Sequence, residues 1–283
     1  MKKKIIIFKS FLLTLLISAA SINAQDVKPL FDLEKQFCSN LNEVGYSAAF
    51  LNYIDDEGIM FLPQPAGGKD YLAAHKNDFK GLFWEAGFAE MSLNGDFGYT
   101  TGPWHSVRKD DKGNEITSYG HFVTVWNKVK GNWKFLIDCG ISYNKSVINN
   151  TPYTEEKVQP AEDRVLRFPF EDLIKIDNDF NFMADEKGLI QTYEKYASPN
   201  IRFYRNDFYP AAGIENGKKI INQGKLDFFH MGGKAAPAGD FAFTYGTAGV
   251  NDDGSPTFNY MRIWKKEGKD WKIVLDLLTP VKK

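Results

Sequence analysis

His121 is the side chain in this sequence best suited to exchanging a proton near neutral pH. It stands in Tyr119-Gly120-His121-Phe122-Val123-Thr124-Val125-Trp126, a run that alternates as a strand does. Tyr119, His121, Val123 and Val125 share one face, and Thr124 lies on the other. A similar run later in the chain carries Thr257, Asn259, Met261 and Ile263 on the first face and Arg262 on the second. The first set is therefore assigned to the interior, which places His121 among apolar neighbours. There it is either a general base or hydrogen-bond donor, or a histidine satisfied by a carbonyl or a tyrosine with no chemistry to perform. Asn259 takes its place in the later run and does not titrate, so any acid–base activity is expected in the first run rather than the second.

Asp138 is the nearest candidate partner, on the next strand. Trp133, Phe135, Ile137 and Cys139 form an apolar set expected to face inward, which sends Lys134 and Asp138 to the opposite face. The same pairing returns as Lys272 and Asp276, so a shared structural role, a cross-strand pair or turn contact, is the expected reading. Tyr53, Trp84, Phe97, Tyr99, Trp104 and Tyr119 are the aromatic candidates for lining a ligand cavity around His121. Tyr196, Phe241, Phe243 and Tyr245 correspond to them in the second half. His75 and His230 are expected at a cavity rim, and His105 in solvent. The sequence has no GxSxG elbow, phosphate loop, dinucleotide fingerprint or HExxH. No cofactor and no metal are expected. Cys38 and Cys139 are too far from histidines for ligand spacing and are either a disulfide or two buried thiols.

The elements that position these residues occur twice. Phe37, Gly45 and Tyr53 return as Phe180, Gly188 and Tyr196, each 143 positions later. Gly95-Asp96-Phe97 with Thr100 and Gly102 returns 144 later as Gly239-Asp240-Phe241 with Thr244 and Gly246. Trp126, Trp133, Lys134 and Asp138 return 138 later as Trp264, Trp271, Lys272 and Asp276. Three blocks in one order describe an internal repeat. Each copy begins with helices and ends with strands joined by polar turns, an α+β order. Pro29 opens a helix with apolar residues at Leu30, Leu33, Phe37, Leu41 and Val44, and Gly45 ends it.

Lys2, Lys3 and Lys4 precede an apolar run that ends at Ala24, the pattern of a secretory signal peptide over residues 1–24. The domains are then 25–146 and 168–283, with a polar, proline-containing linker at 147–167. An exported protein, periplasmic or secreted, is expected, with no membrane association after cleavage. The chain has 35 basic and 36 acidic residues, and loss of Lys2, Lys3, Lys4 and Lys9 leaves 31 basic ones and a net charge of −5. That balance argues against nucleic acid as a partner.

Phe83-Trp84-Glu85-Ala86-Gly87-Phe88, Gly95 through Trp104, Gly120 through Trp126 and Trp133 through Asp138 together resemble exported bacterial members of the SnoaL-like, nuclear-transport-factor-2-like superfamily. The resemblance spans nearly all of copy one and, more faintly, copy two, where Thr247-Ala248 stands in place of Pro103-Trp104. It implies two tandem cone-shaped domains, each with N-terminal helices packed on a curved antiparallel sheet. It also implies a small apolar molecule bound in the cone of the first domain. The alternatives are an isomerase, dehydratase or cyclase working through His121, and an interaction module with filled cones, the two domains forming an intramolecular pseudo-dimer. Fold alone does not choose among them.

Overall fold

Pro29 and Gly45 bracket the first helix as their chemistry requires. In the computed structural model, which describes residues 26–145, 170–221 and 224–281, helix α1 runs Lys28–Val44 with proline in its first turn. Gly45 takes φ +92° and donates its N–H to the Leu41 carbonyl. A Cβ there would lie 2.8 Å from Asp78 Cα, so a side chain is excluded on both counts. Leu30, Phe37 and Leu41 form the buried stripe, each contributing about 1.5–3 kcal/mol by leaving water. The signal peptide and linker expected at 1–24 and 147–167 lie outside the described residues.

The first unit continues through α2 (Tyr46–Tyr53), β1 (Ile54–Phe61), β2 (Pro65–Gly67), α3 (Gly68–Ala74), β3 (Leu82–Trp84) and β4 (Phe88–Met91). Three long strands complete it: β5 (Phe97–Lys109), β6 (Glu115–Val129) and β7 (Asn132–Tyr143). The sheet order is β2-β1-β7-β6-β5-β3, with β4 also on β5. The second unit repeats the plan with α4 (Phe170–Lys187), α5 (Leu189–Tyr196), β8 (Ala197–Arg205), β9 (Ala211–Ala212) and α6 (Ile214–Gly217). Strands β10 (Phe228–Ala235), β11 (Phe241–Val250), β12 (Pro256–Glu267) and β13 (Asp270–Pro280) follow, in the order β10-β11-β12-β13-β8-β9. The chain is α+β, with two separate sheets and helices packed on each.

The sheets are mixed rather than wholly antiparallel, which corrects the expectation. β1 pairs with β7, and β8 with β13, in parallel. Each of these pairs joins the first strand of a unit to its last, a connection long enough for the crossover that parallel pairing needs.

A β-bulge recurs at the same place in both units. Val125 and Trp126 oppose Ile137 and Phe135, leaving Leu136 extra, while Ile263 and Trp264 oppose Leu275 and Ile273, leaving Val274 extra. The extra residue reverses the alternation downstream. Phe135 therefore packs with Trp126, Phe37 and Leu41 under the helices, whereas Ile137, Cys139, Ile141 and Tyr143 face the other way.

That other face is a core shared by the two sheets. Phe97, Tyr99, Val123, Val125 and Ile137 of the first unit pack with Tyr204, Phe241, Phe243, Met261 and Leu277 of the second. Polar contacts cross with them. Lys265 Nζ donates to Glu90 Oε1 at 2.5 Å, the Leu93 N–H to Asp240 Oδ2 at 2.7 Å, and Asn259 Nδ2 to the Pro63 carbonyl at 2.7 Å.

Candidate functional site

Between sheet one and its helices lies a cavity of about 500 Å³. Phe37 comes from α1, Phe50 from α2, Leu72 from α3, Met60 from β1 and Phe122 from β6, and Trp84 and Trp104 stand on the paired strands β3 and β5. His75, Lys76 and Arg108 line its exposed mouth. Asn259, Thr279 and Pro280 of the second unit complete the wall.

Asp138 lines this cavity, against the expectation that it faces away. The bulge at Leu136 is the reason: it puts Asp138 on the same side as Phe135, under the helices. Thr124 faces it across the strand pair and donates its hydroxyl to Asp138 Oδ2 at 2.8 Å. Burial pushes the Asp138 carboxyl up to about 7; the nearby Glu34 charge adds to this and the Thr124 bond works against it. A carboxyl at that value takes up or releases a proton near neutrality.

Glu34, from α1, is buried beside it. Glu34 Oε2 accepts the Trp84 indole N–H at 2.7 Å, and Oε1 accepts the Trp126 indole N–H at 3.0 Å and the Thr100 hydroxyl. Burial raises its carboxyl above the ordinary range, and these donors limit the rise. Tyr46 of α2 is also pushed up, by burial first and then by the Asp138 charge. Among the described residues neither Glu34 nor Asp138 has an ion-pair partner.

The second unit shows what such a partner looks like. By strand register Thr100, Thr124 and Asp138 correspond to Thr244, Arg262 and Asp276, and Asp177 stands on α4 where Glu34 stands on α1. Arg262 is fully buried. Its NH1 donates to Asp177 Oδ1 and to Asn181 Oδ1, both at 2.7 Å, and its Nε to Asp276 Oδ2 at 3.3 Å. The guanidinium carbon lies 3.9 Å from the ring centre of Phe180 and 4.3 Å from those of Phe228 and Tyr260. Burial pushes the Asp177 carboxyl up, but the Arg262 charge and the His230 bond hold it below its usual range. Arginine thus fills the second cone where threonine leaves the first one open.

The structure brings Trp84 and Trp104 to the cavity wall and sets Tyr53 in the core beside it, 4.5 Å from the Phe37 ring. It places Phe97, Tyr99, Tyr119 and His121 on the face toward the second sheet. The pairing of Tyr119, His121, Val123 and Val125 on one face holds, but the side assigned to them is reversed, because helices cover Thr124 and a second sheet covers His121. His121 is buried against Tyr143, Tyr204 and Tyr209. Its Nδ1 is 2.7 Å from the Tyr143 hydroxyl, which donates to the Gly120 carbonyl. Burial lowers its imidazolium pKa to about 3, so the ring is neutral at physiological pH. Phe241, Phe243 and Tyr245 likewise belong to the shared core. His230 bonds Asp177, His75 stacks on Tyr71 at the mouth, and Cys38 and Cys139 are separate thiols.

No family model matches the chain and no curated protein does. Among solved structures it is similar to a nuclear transport factor 2-like superfamily protein from Salmonella enterica, at 11% identity and TM-score 0.33, over 44% of this chain and 94% of that chain. It is also similar to an NTF-2-like protein from Shewanella oneidensis, at 14% identity and TM-score 0.32, over 40% of this chain and 99% of that chain. A third likeness, at 14% identity and TM-score 0.32, is to the association domain of C. elegans CaMKII, over 40% of this chain and 93% of that chain.

Proposed function

We propose that the first unit binds a small molecule with a largely apolar body in its cone, with Asp138 as the polar contact at the inner wall. The observation that carries this reading is the contrast between the two units: an arginine and its partners fill one cone, and a cavity of about 500 Å³ occupies the other. Aromatic walls with one convergent polar group are what small-molecule sites have in common. Residues of the second unit close part of the wall, so the second unit serves as scaffold.

Thr124→Arg is the direct test, because it rebuilds in the first cone the side chain that fills the second. Compounds that shift the melting temperature of the wild-type chain, or quench Trp84 and Trp104, should lose their effect in this variant while it keeps a cooperative melt. Equal binding by both proteins would place the ligand elsewhere and refute the reading. Catalysis through His121 is not favoured: the ring faces the shared core and is separated from the cavity by the sheet.

A further inference from the structure

We propose that the ligand of the first cone is an organic cation, a guanidinium or ammonium group on an apolar body, seated where Arg262 seats its guanidinium in the second cone. This rests on the binding function proposed above and names the class of ligand.

The second unit is an internal template for the site. Its guanidinium is held by three aromatic rings, Phe180, Phe228 and Tyr260, and by two carboxylates, Asp177 and Asp276. Each has a counterpart in the first unit by register. Phe37 stands for Phe180, with the same edge-on contact to the repeated tryptophan, 6.2 Å to Trp126 against 6.4 Å to Trp264. Trp84 stands for Phe228, since it pairs with Trp104 as Phe228 pairs with Ala248. Phe122 stands for Tyr260, opposite Gly102 and Gly246 respectively. All three counterparts line the cavity. The carboxylates are Glu34 and Asp138. A second guanidinium, Arg205, lies 2.6 Å from Asp276 Oδ1. The first unit lacks both cations: Thr124 occupies the position of Arg262, and by strand register Leu62 that of Arg205.

An aromatic box around a carboxylate is selective for cations, since ring faces and anion attract the same charge and a desolvated site strengthens both effects. A separate observation points the same way. Asn259 lines the cavity and is 1% exposed, and its Nδ2 is committed to the Pro63 carbonyl. That bond fixes the amide orientation, and Asn259 Oδ1 is left buried without a hydrogen-bond partner among the described residues. It is an acceptor, suited to an N–H donor. Arg108 and Lys76 carry the opposite charge, but both are exposed at the mouth, where solvent and salt screen them.

The test uses the full chain and two isosteric probes, the benzylguanidinium cation and neutral benzylurea, titrated calorimetrically at pH 8. The cation is expected to bind about tenfold more tightly or better, the discrimination typical of one charged hydrogen bond. Asp138→Asn should reduce that preference to about threefold or less. Thr124→Arg should abolish cation binding with its melt still cooperative, and it answers the question if the asparagine variant does not fold. Equal binding of the two probes would overturn the cation assignment and leave the small-molecule function standing. Binding of neither probe would overturn both. A preference that survives Asp138→Asn would remove it from this cavity.

Discussion

Replacing Asp138 by asparagine isolates the electrostatic cost of an open cone. The folded-state carboxyl is raised from 3.8 to about 7, chiefly by burial. A carboxyl with a raised folded pKa binds its proton more tightly in the folded state, so stability falls as pH rises from the unfolded to the folded value. Three pKa units correspond to roughly 4 kcal/mol of destabilisation, fully developed above pH 7 and relieved as the acid protonates. At pH 5 the same linkage leaves less than half of that cost. Thr124 on β6, Glu34 on α1 and Tyr46 on α2 interact with Asp138, and Tyr71, His75 and Arg108 line the same cavity. Asparagine keeps the shape and cannot ionise. Its stability relative to wild type should therefore rise by roughly 2–3 kcal/mol between pH 5 and pH 8, whatever constant it loses at the Thr124 bond. The neutral His121 adds its own acid sensitivity, but to both proteins alike, so it cancels from the difference. Urea unfolding of both chains at pH 5, 6, 7 and 8 measures this directly. A difference flat to within about 0.5 kcal/mol over that range would refute the placement of Asp138 in a desolvated cone.

Three further outcomes follow from the same geometry. Thr124→Arg should raise the melting temperature at pH 8, because the new guanidinium neutralises Glu34 and Asp138; a lower melting temperature with a cooperative transition would contradict the internal template. Arg262→Met should lose about 3–5 kcal/mol, as expected when one member of a buried ionic network is removed, measurable by chemical denaturation; a near-neutral change would show that the buried Arg205, 2.6 Å from Asp276 Oδ1, suffices for Asp276. His121→Ala should lose about 2–4 kcal/mol of stability while leaving affinity for cavity ligands unchanged, since it lies in the core shared by the sheets. Titration of that variant with any ligand found for the wild type decides the point, and a large loss of affinity would return His121 to the site.

The repeat, the order of elements and the helix boundaries at Pro29 and Gly45 were legible because they rest on local chemistry. Trp84 and Trp104 stand at the cavity wall. The side of the sheet was not legible, for two physical reasons. Both faces of each sheet are buried, one under helices and one against the other sheet, so no solvent-facing polar set marks the outside. Alternation then sorts residues into two sets without saying which set meets the helices. The second reason is the bulge at Leu136, which breaks the alternation between Phe135 and Ile137 and moves Asp138 to the cavity. A signal was nonetheless present in the residue types. Glu34 and Asp177 sit 143 positions apart on the buried stripes of α1 and α4, an unusual place for acids. Asp138 and Asp276 also repeat, while Thr124 becomes Arg262. Two repeated acids with two unrepeated cations, Arg262 and Arg205, imply that one unit satisfies its carboxylates internally and the other does not. Buried acids are held in place by a partner or by a proton. In the first cone the choice between them is open near pH 7, which is the condition under which an incoming cation displaces a proton and a carboxyl becomes a ligand contact.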